Sequence, residues 1–211
     1  MKQTIIAVIC FLCVSSLYIQ AQKINHPSLL YTPQRIQQVK QRMQHEPKLQ
    51  EAWGDIKKTA DKALQKKDFN RLDYLSLAYL MTDNKEYADA IKEILLKAVE
   101  AESWGDVEMM ARIPAWRSQL GMAHKSFLSA VGYDAAYNVM SSSERKKIAE
   151  GLKRLAVEPA LGDWLLEPTR IHSLNSMGHN WWTSCVCQGG ILALSLQNEL
   201  PEVKELSLIH I

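Results

Sequence analysis

His179-Asn180-Trp181-Trp182 sets an imidazole, a neutral amide and two indoles in four consecutive residues. Gly178 precedes them, and the apolar pattern behind them predicts a helix from about residue 179 to residue 197. Polar side chains at such a start can face a cavity and stand at the positive end of the helix dipole. A neutral Asn beside a His suits the binding of a carboxylate whose charge has to be offset. Asn is also strongly favoured as a helix cap, and Asn180 could fill that role with no ligand present.

Two long connections precede this motif in the chain. One reads ESWGDVEMMARIPAWR over residues 102–117, and the other reads GDWLLEPTRIHSLNSMG over residues 162–178. Of the six tryptophans, Trp104, Trp116, Trp164, Trp181 and Trp182 lie in these connections or at the start of the helix that follows, and only Trp53 sits on an ordinary amphipathic stretch. Indoles beside Arg, His and Asn suit a cleft that stacks sugar rings and holds their anionic groups. On this basis Trp181, Trp182, Trp116, Trp104, Arg117 and Arg170 are candidate substrate contacts, with Arg112 behind them. The alternatives are tryptophans that plug the ends of a helix bundle and arginines that sit at the surface. Asp106, Glu108 and Asp163 also fall in the connections, where a pair of them would suit glycoside hydrolysis. Cys185, Cys187, His172 and His179 match no dependable zinc spacing, so no metal and no cofactor is expected.

Helices must position these groups. Thr32-Pro33 is a helix start, with Thr32 as cap, Pro33 in the first turn and Ile36, Val39 and Met43 as the apolar stripe. Pro47 interrupts that stripe, and Leu49, Trp53, Ile56, Ala60, Ala63 and Leu64 form the next, opposite a Lys/Asp/Gln face. Residues 72–81 are apolar nearly all round and predict a buried helix. Thr82-Asp83-Asn84 is a turn, and Tyr87, Ile91, Ile94, Leu95 and Val99 make a one-sided helix. The alternation recurs. A buried helix spans about residues 119–140, with Gly121 and Gly132 allowing close approach. A one-sided helix then opens on a Ser141/Glu144 capping box and turns Arg145, Lys146, Lys147, Lys153 and Arg154 to water. The third buried helix is the one behind His179, with Gly189 and Gly190 as its small residues. Strand-length alternation and Asn-Gly hairpin turns do not occur. Helical hairpins with dissimilar sequences and unequal connections favour a closed α/α toroid over an open solenoid.

The ends of the chain carry separate expectations. Lys2, the apolar run Ile5 to Val14 and small Ala21 read as a secretory signal peptide over residues 1–21, pointing to a periplasmic or secreted protein. Its removal takes away one Lys and lowers the formal charge from +2 to +1. So small an excess gives no support for nucleic-acid binding, and no membrane partner is expected after cleavage. Cys185 and Cys187 then remain; on a helix they point about 200° apart and cannot bridge. Residues 206–211, LSLIHI, resemble the translation of a transposon-end adapter from sequencing libraries.

The segments HPSLLYTPQRIQQVKQRM, LAYLMTDNKEYADAIKEIL, VGYDAAYNVMSSSERKKIAEGLKRLAVEPAL and GHNWWTSCVCQGGILALSL resemble, in order and spacing, the heparinase II/III-like polysaccharide lyases and the related alginate lyases. The resemblance runs from about Asn25 to Val203 and is most specific at HNWW. It implies an all-α, incomplete (α/α) toroid over residues 22–205, with the family's C-terminal β-sandwich absent. It implies β-elimination on an acidic polysaccharide such as a glycosaminoglycan or alginate. Asn180 first, and His179 second, match the group that neutralises the uronate carboxylate; Trp181 and Trp182 would line the sugar site. The family's catalytic Tyr, and a further His, come downstream of Ile211, and Tyr133 and Tyr137 do not match them. The chain is therefore expected to be an N-terminal fragment, inactive alone.

Overall fold

The computed structural model describes residues 23–166 and 180–203, with the Leu166 side chain excepted. The expected signal peptide and the 206–211 tail lie outside those residues, as do His172, Arg170 and His179. The described residues are all-α and hold no strand.

The local signals act where the residues place them. Helix α1 (Pro33–Met43) opens with Thr32 accepting from the Arg35 amide and Pro33 in its first turn. Helix α2 (Pro47–Lys66) starts on the proline that interrupts the first stripe. Helix α3 (Leu72–Thr82) stops at Asp83, whose φ of 57° ends the helix, and Asn84 at once caps α4 (Lys85–Ala98) by accepting from the Glu86 amide. A single turn of helix, α5 (Val107–Met110), interrupts the first long connection. Helix α6 (Leu120–Ala136) is buried along most of its length. Helix α7 (Ser142–Leu152) carries the full capping box between Ser141 and Glu144.

After α7 the structure departs from the expected boundaries. The helix does not yield to a connection at Gly162. It runs on through a π turn (Lys153–Val157), the short α8 (Glu158–Leu161) and a second π turn (Gly162–Leu166). Pro159 supplies the reason. A proline inside an α-helix clashes with the carbonyl four residues back, and a widened turn relieves that clash without ending the helix. The Glu158 amide accordingly reaches back five residues to the Lys153 carbonyl. Helix α9 (Asn180–Leu196) completes the set.

Helix α6 packs against both α3 and α9, while α2 and α4 flank α3 and the π-turn segment packs against α9. The buried helices thus stand side by side, with the one-sided helices outside them. Two glycines set the spacing. A Cβ on Gly151 would fall 2.4 Å from Val99 Cβ, and one on Gly189 would fall 2.9 Å from Ala160 Cβ. Gly121 and Gly190 do not serve this purpose: the first meets only its neighbour Gln119, and the second faces open space. Two of the arginines expected in water are engaged. Arg145 pairs with Glu199 at 3.2 Å, and Arg154 donates to the carbonyls of Val99, Ala101 and Glu102, which close the end of α4.

Candidate functional site

Helices α6 and α9 run parallel, tied at both ends. At their C-terminal ends Tyr133 and Tyr137 both donate to the Glu199 carboxylate, at 2.5 and 2.8 Å. At their N-terminal ends a second, smaller core forms from Ala123, Trp164, Cys185 and Val186, with Trp116, Trp181, Trp182 and Leu165 packed around it. Four of the six tryptophans therefore gather at one end of the array, where the 102–117 connection also ends.

The placement of each indole divides them by role. Trp164 is 2 % exposed and donates to Ser118 Oγ at 3.1 Å, so it is a plug on a helix and not part of a connection. Trp104 is 6 % exposed and sits in the main core, edge-on to Phe69 at 5.9 Å. It is sealed away from the position a sugar contact needs, and the tryptophan-as-plug alternative describes it. Trp116, Trp181 and Trp182 are half-buried. Trp116 and Trp181 meet edge to face with centroids 5.9 Å apart, and the Arg112 guanidinium lies over Trp116 at 4.8 Å.

Asn180 is the first residue of α9 and its side chain is exposed beside these rings. Its partner in the motif, His179, lies outside the described residues, as does Arg170. Arg117 is described, and it is committed elsewhere: its Nε and Nη2 donate to Asp163 Oδ1 at 2.8 and 2.7 Å. The backbone amides of Arg117 and Ser118 donate to Asp163 Oδ2 at 2.7 and 2.9 Å. The Asp163 side chain is fully buried and receives four donors, so it anchors the end of the 102–117 connection to the π turn. A carboxylate so held is not placed for acid catalysis on a sugar, and Asp106 is spent capping α5. Sequence reading missed this anchor; the signal was a DW pair carried past Pro159 on a helix.

The thiols divide in the same way. Cys185 is buried, which pushes its thiol up to about 11, and Cys187 is exposed. Among the described residues no three His, Cys, Asp or Glu side chains are grouped to hold a metal ion.

A second constellation was missed entirely. The residues before α1 form an arm over the far ends of α6 and α9. His26 Nδ1 lies 2.6 Å from Asp134 Oδ1, and Asp134 also accepts from the amides of Ser28 and Leu29. His26 stacks on Tyr137 at 4.0 Å, and Asn198 exchanges two hydrogen bonds with the Ile24 backbone. Burial raises the Tyr133 and Tyr137 hydroxyls, and Glu199 adds to both shifts, so they stay protonated as donors. This cluster is closed and lies at the opposite end of α9 from Asn180, which makes it a fastening and not a site.

A scan of family models and a search of curated proteins both return no match for the chain. The site's chemistry therefore rests on its own groups. An exposed amide at a helix start, three half-buried indoles and a guanidinium lying on one of them suit a ring with a flat apolar face and an anionic substituent.

Proposed function

We propose that this chain is the N-terminal helical part of a polysaccharide lyase that cleaves an acidic, uronate-containing polymer by β-elimination. Asn180, with His179, neutralises the uronate carboxylate and so acidifies the proton at C5. Its hydrogen bond strengthens as negative charge builds in the enolate-like transition state, which is how such a donor lowers the barrier. Trp116, Trp181 and Trp182 carry the sugar ring, and Arg112 supplies a second contact for its charge. The proton-transfer groups come from outside this chain, and the helices form one arc of an α/α toroid. Export by a signal peptide over residues 1–21 suits a substrate met outside the cytoplasm.

The observation that carries this reading is the exposed Asn180 at the start of α9, next to the Trp116–Trp181 pair and at the end of the array where the 102–117 connection ends. The engagement of Asp163 by four donors favours it over the paired-carboxylate chemistry of a hydrolase. The test uses the full-length protein encoded by the intact locus, with glycosaminoglycan and alginate panels. Ultraviolet absorbance of an unsaturated uronate product is expected on one of them. Asn180→Ala is expected to lower turnover by about 100-fold or more, in line with loss of a single oxyanion donor, with an unchanged melting curve. Sugar release without a double bond, or an active variant, would overturn the assignment.

A further inference from the structure

A cleft of about 180 Å³ lies where the residues before α1, the middle of α2 and the first turns of α3 meet, lined by Tyr31, Ile56, Asp73, Tyr74 and Leu77. It shares no residue with the tryptophan cluster. Its volume is more than tenfold the roughly 10–15 Å³ that admits one water, so it takes a molecule of several heavy atoms. The walls are two phenol rings, two aliphatic side chains and one carboxylate, that of Asp73.

One oxygen of that carboxylate is unmatched, on a side chain that is half-buried. Asp73 Oδ1 is buried and has no hydrogen-bond partner. The nearest cation in the sequence, Arg71, stacks on the Tyr74 ring with its guanidinium carbon 5.6 Å from the centroid. No ion pair joins it to Asp73 among the described residues. Burial, with Asp73 next, raises the Tyr31 hydroxyl, so Tyr31 is a neutral wall. A carboxylate at the wall of a largely apolar cleft is met by a ligand that brings N–H donors to it. The Cβ–Cγ torsion of Asp is soft, so either oxygen can turn to the cleft. Phenol faces attract cations, and Arg71 on Tyr74 already shows that this ring holds one. A single carboxylate is too few ligands for a metal ion, and no metal-capable group of three occurs among the described residues.

We propose that this cleft binds a small organic cation: a primary ammonium on a short apolar stem. The ammonium donates to Asp73 between the Tyr31 and Tyr74 rings, and the stem lies on Ile56 and Leu77. This site is independent of the carboxylate-recognising face at Asn180 and stands or falls separately from the lyase assignment.

The probe is butylammonium, titrated into the purified chain at neutral pH and followed by amide NMR shifts, with n-butanol as the neutral analogue. Saturable shifts at Tyr31, Asp73 and Tyr74 are expected from butylammonium and not from butanol. Asp73→Asn is expected to weaken binding about tenfold or more, the scale of one lost charge-assisted contact. Arg71→Gln is expected to tighten it, because a competing cation leaves the Tyr74 ring. Tyr31→Leu, which removes one phenol wall, carries the test should Asp73→Asn fail to fold, and is expected to weaken binding as well. Equal binding of butanol, unchanged affinity in Asp73→Asn or Tyr31→Leu, or no saturable shift at all would overturn the proposal and leave a cleft filled by water.

Discussion

At the scale of single residues, the cluster at the start of α9 holds a buried thiol whose protonation couples to stability. Cys185 has an ordinary value of 9.0 and is pushed up to about 11 by burial. Above pH 9 the unfolded chain releases this proton while the folded chain keeps it. The unfolded state then binds fewer protons, and stability falls as pH rises through 9 towards 11, by up to about 2–3 kcal/mol. Tyr133 and Tyr137 act in the same direction at higher pH. The Cys185 share is isolated by urea denaturation of wild type and Cys185→Ala at pH 8 and pH 10. The variant is expected to lose less stability between the two pH values; parallel losses would show that the thiol is not buried as described. The residue scale is also where sequence reading reached furthest and fell shortest. Thr32 and the Ser141/Glu144 pair cap as expected, because capping is decided within four residues, and Asn84, read only as part of a turn, caps as well. Asp163 and Arg117 are 46 positions apart, and no local signal could show that the arginine offered to a substrate is consumed by a buried aspartate.

At the scale of elements, apolar residues on all sides marked α3, α6 and α9 as inner helices before any geometry was known; α3 and α6 are largely buried, whereas α9 leaves a face to solvent. Length was less legible. A connection is expected from Gly162, yet the π turns carry the helix to Leu166 because Trp164 and the Asp163 anchor hold that turn in the second core. Small residues were legible as a class and not one by one. Gly132 and Gly189 lie at close approaches, while Gly190 faces open space and Gly151, at the tightest approach, attracted no notice. The last gives a prediction. Gly151→Ala forces a methyl into Val99, and the overpacking is expected to cost about 1–3 kcal/mol despite the better helix propensity of Ala. Gly190→Ala has nothing to strike and is expected to be neutral or stabilising, by up to about 1 kcal/mol. Thermal melts of the two variants check both signs, and a neutral Gly151→Ala would mean that α4 and α7 are less tightly apposed.

At the scale of the whole molecule, α9 leaves one face uncovered among the described residues. Cys187 is exposed, Leu194 is 37 % exposed, Gly190 has open space where a side chain would stand, and Ile191 is only half-buried. These residues recur at helical spacing and form an apolar strip against solvent. The purified chain is therefore expected to self-associate as concentration rises, measurable by light scattering, and Leu194→Lys is expected to reduce that association. A monomer at high concentration with a sharp cooperative melt would speak against an unpartnered face.

The fastening of the first described residues to the last helix has a consequence in time. Ile24 bonds to Asn198 across 174 positions of chain, and Ser28 and Leu29 wait on Asp134, more than a hundred residues later. A chain made from its N-terminus emerges with this segment first, yet every seat it needs is synthesised afterwards. Closing so long a loop is slow and comes at the cost of much lost freedom. Residues 24–29, made before either helix, thus find one seat when α6 is complete and wait for the other until α9 has been made.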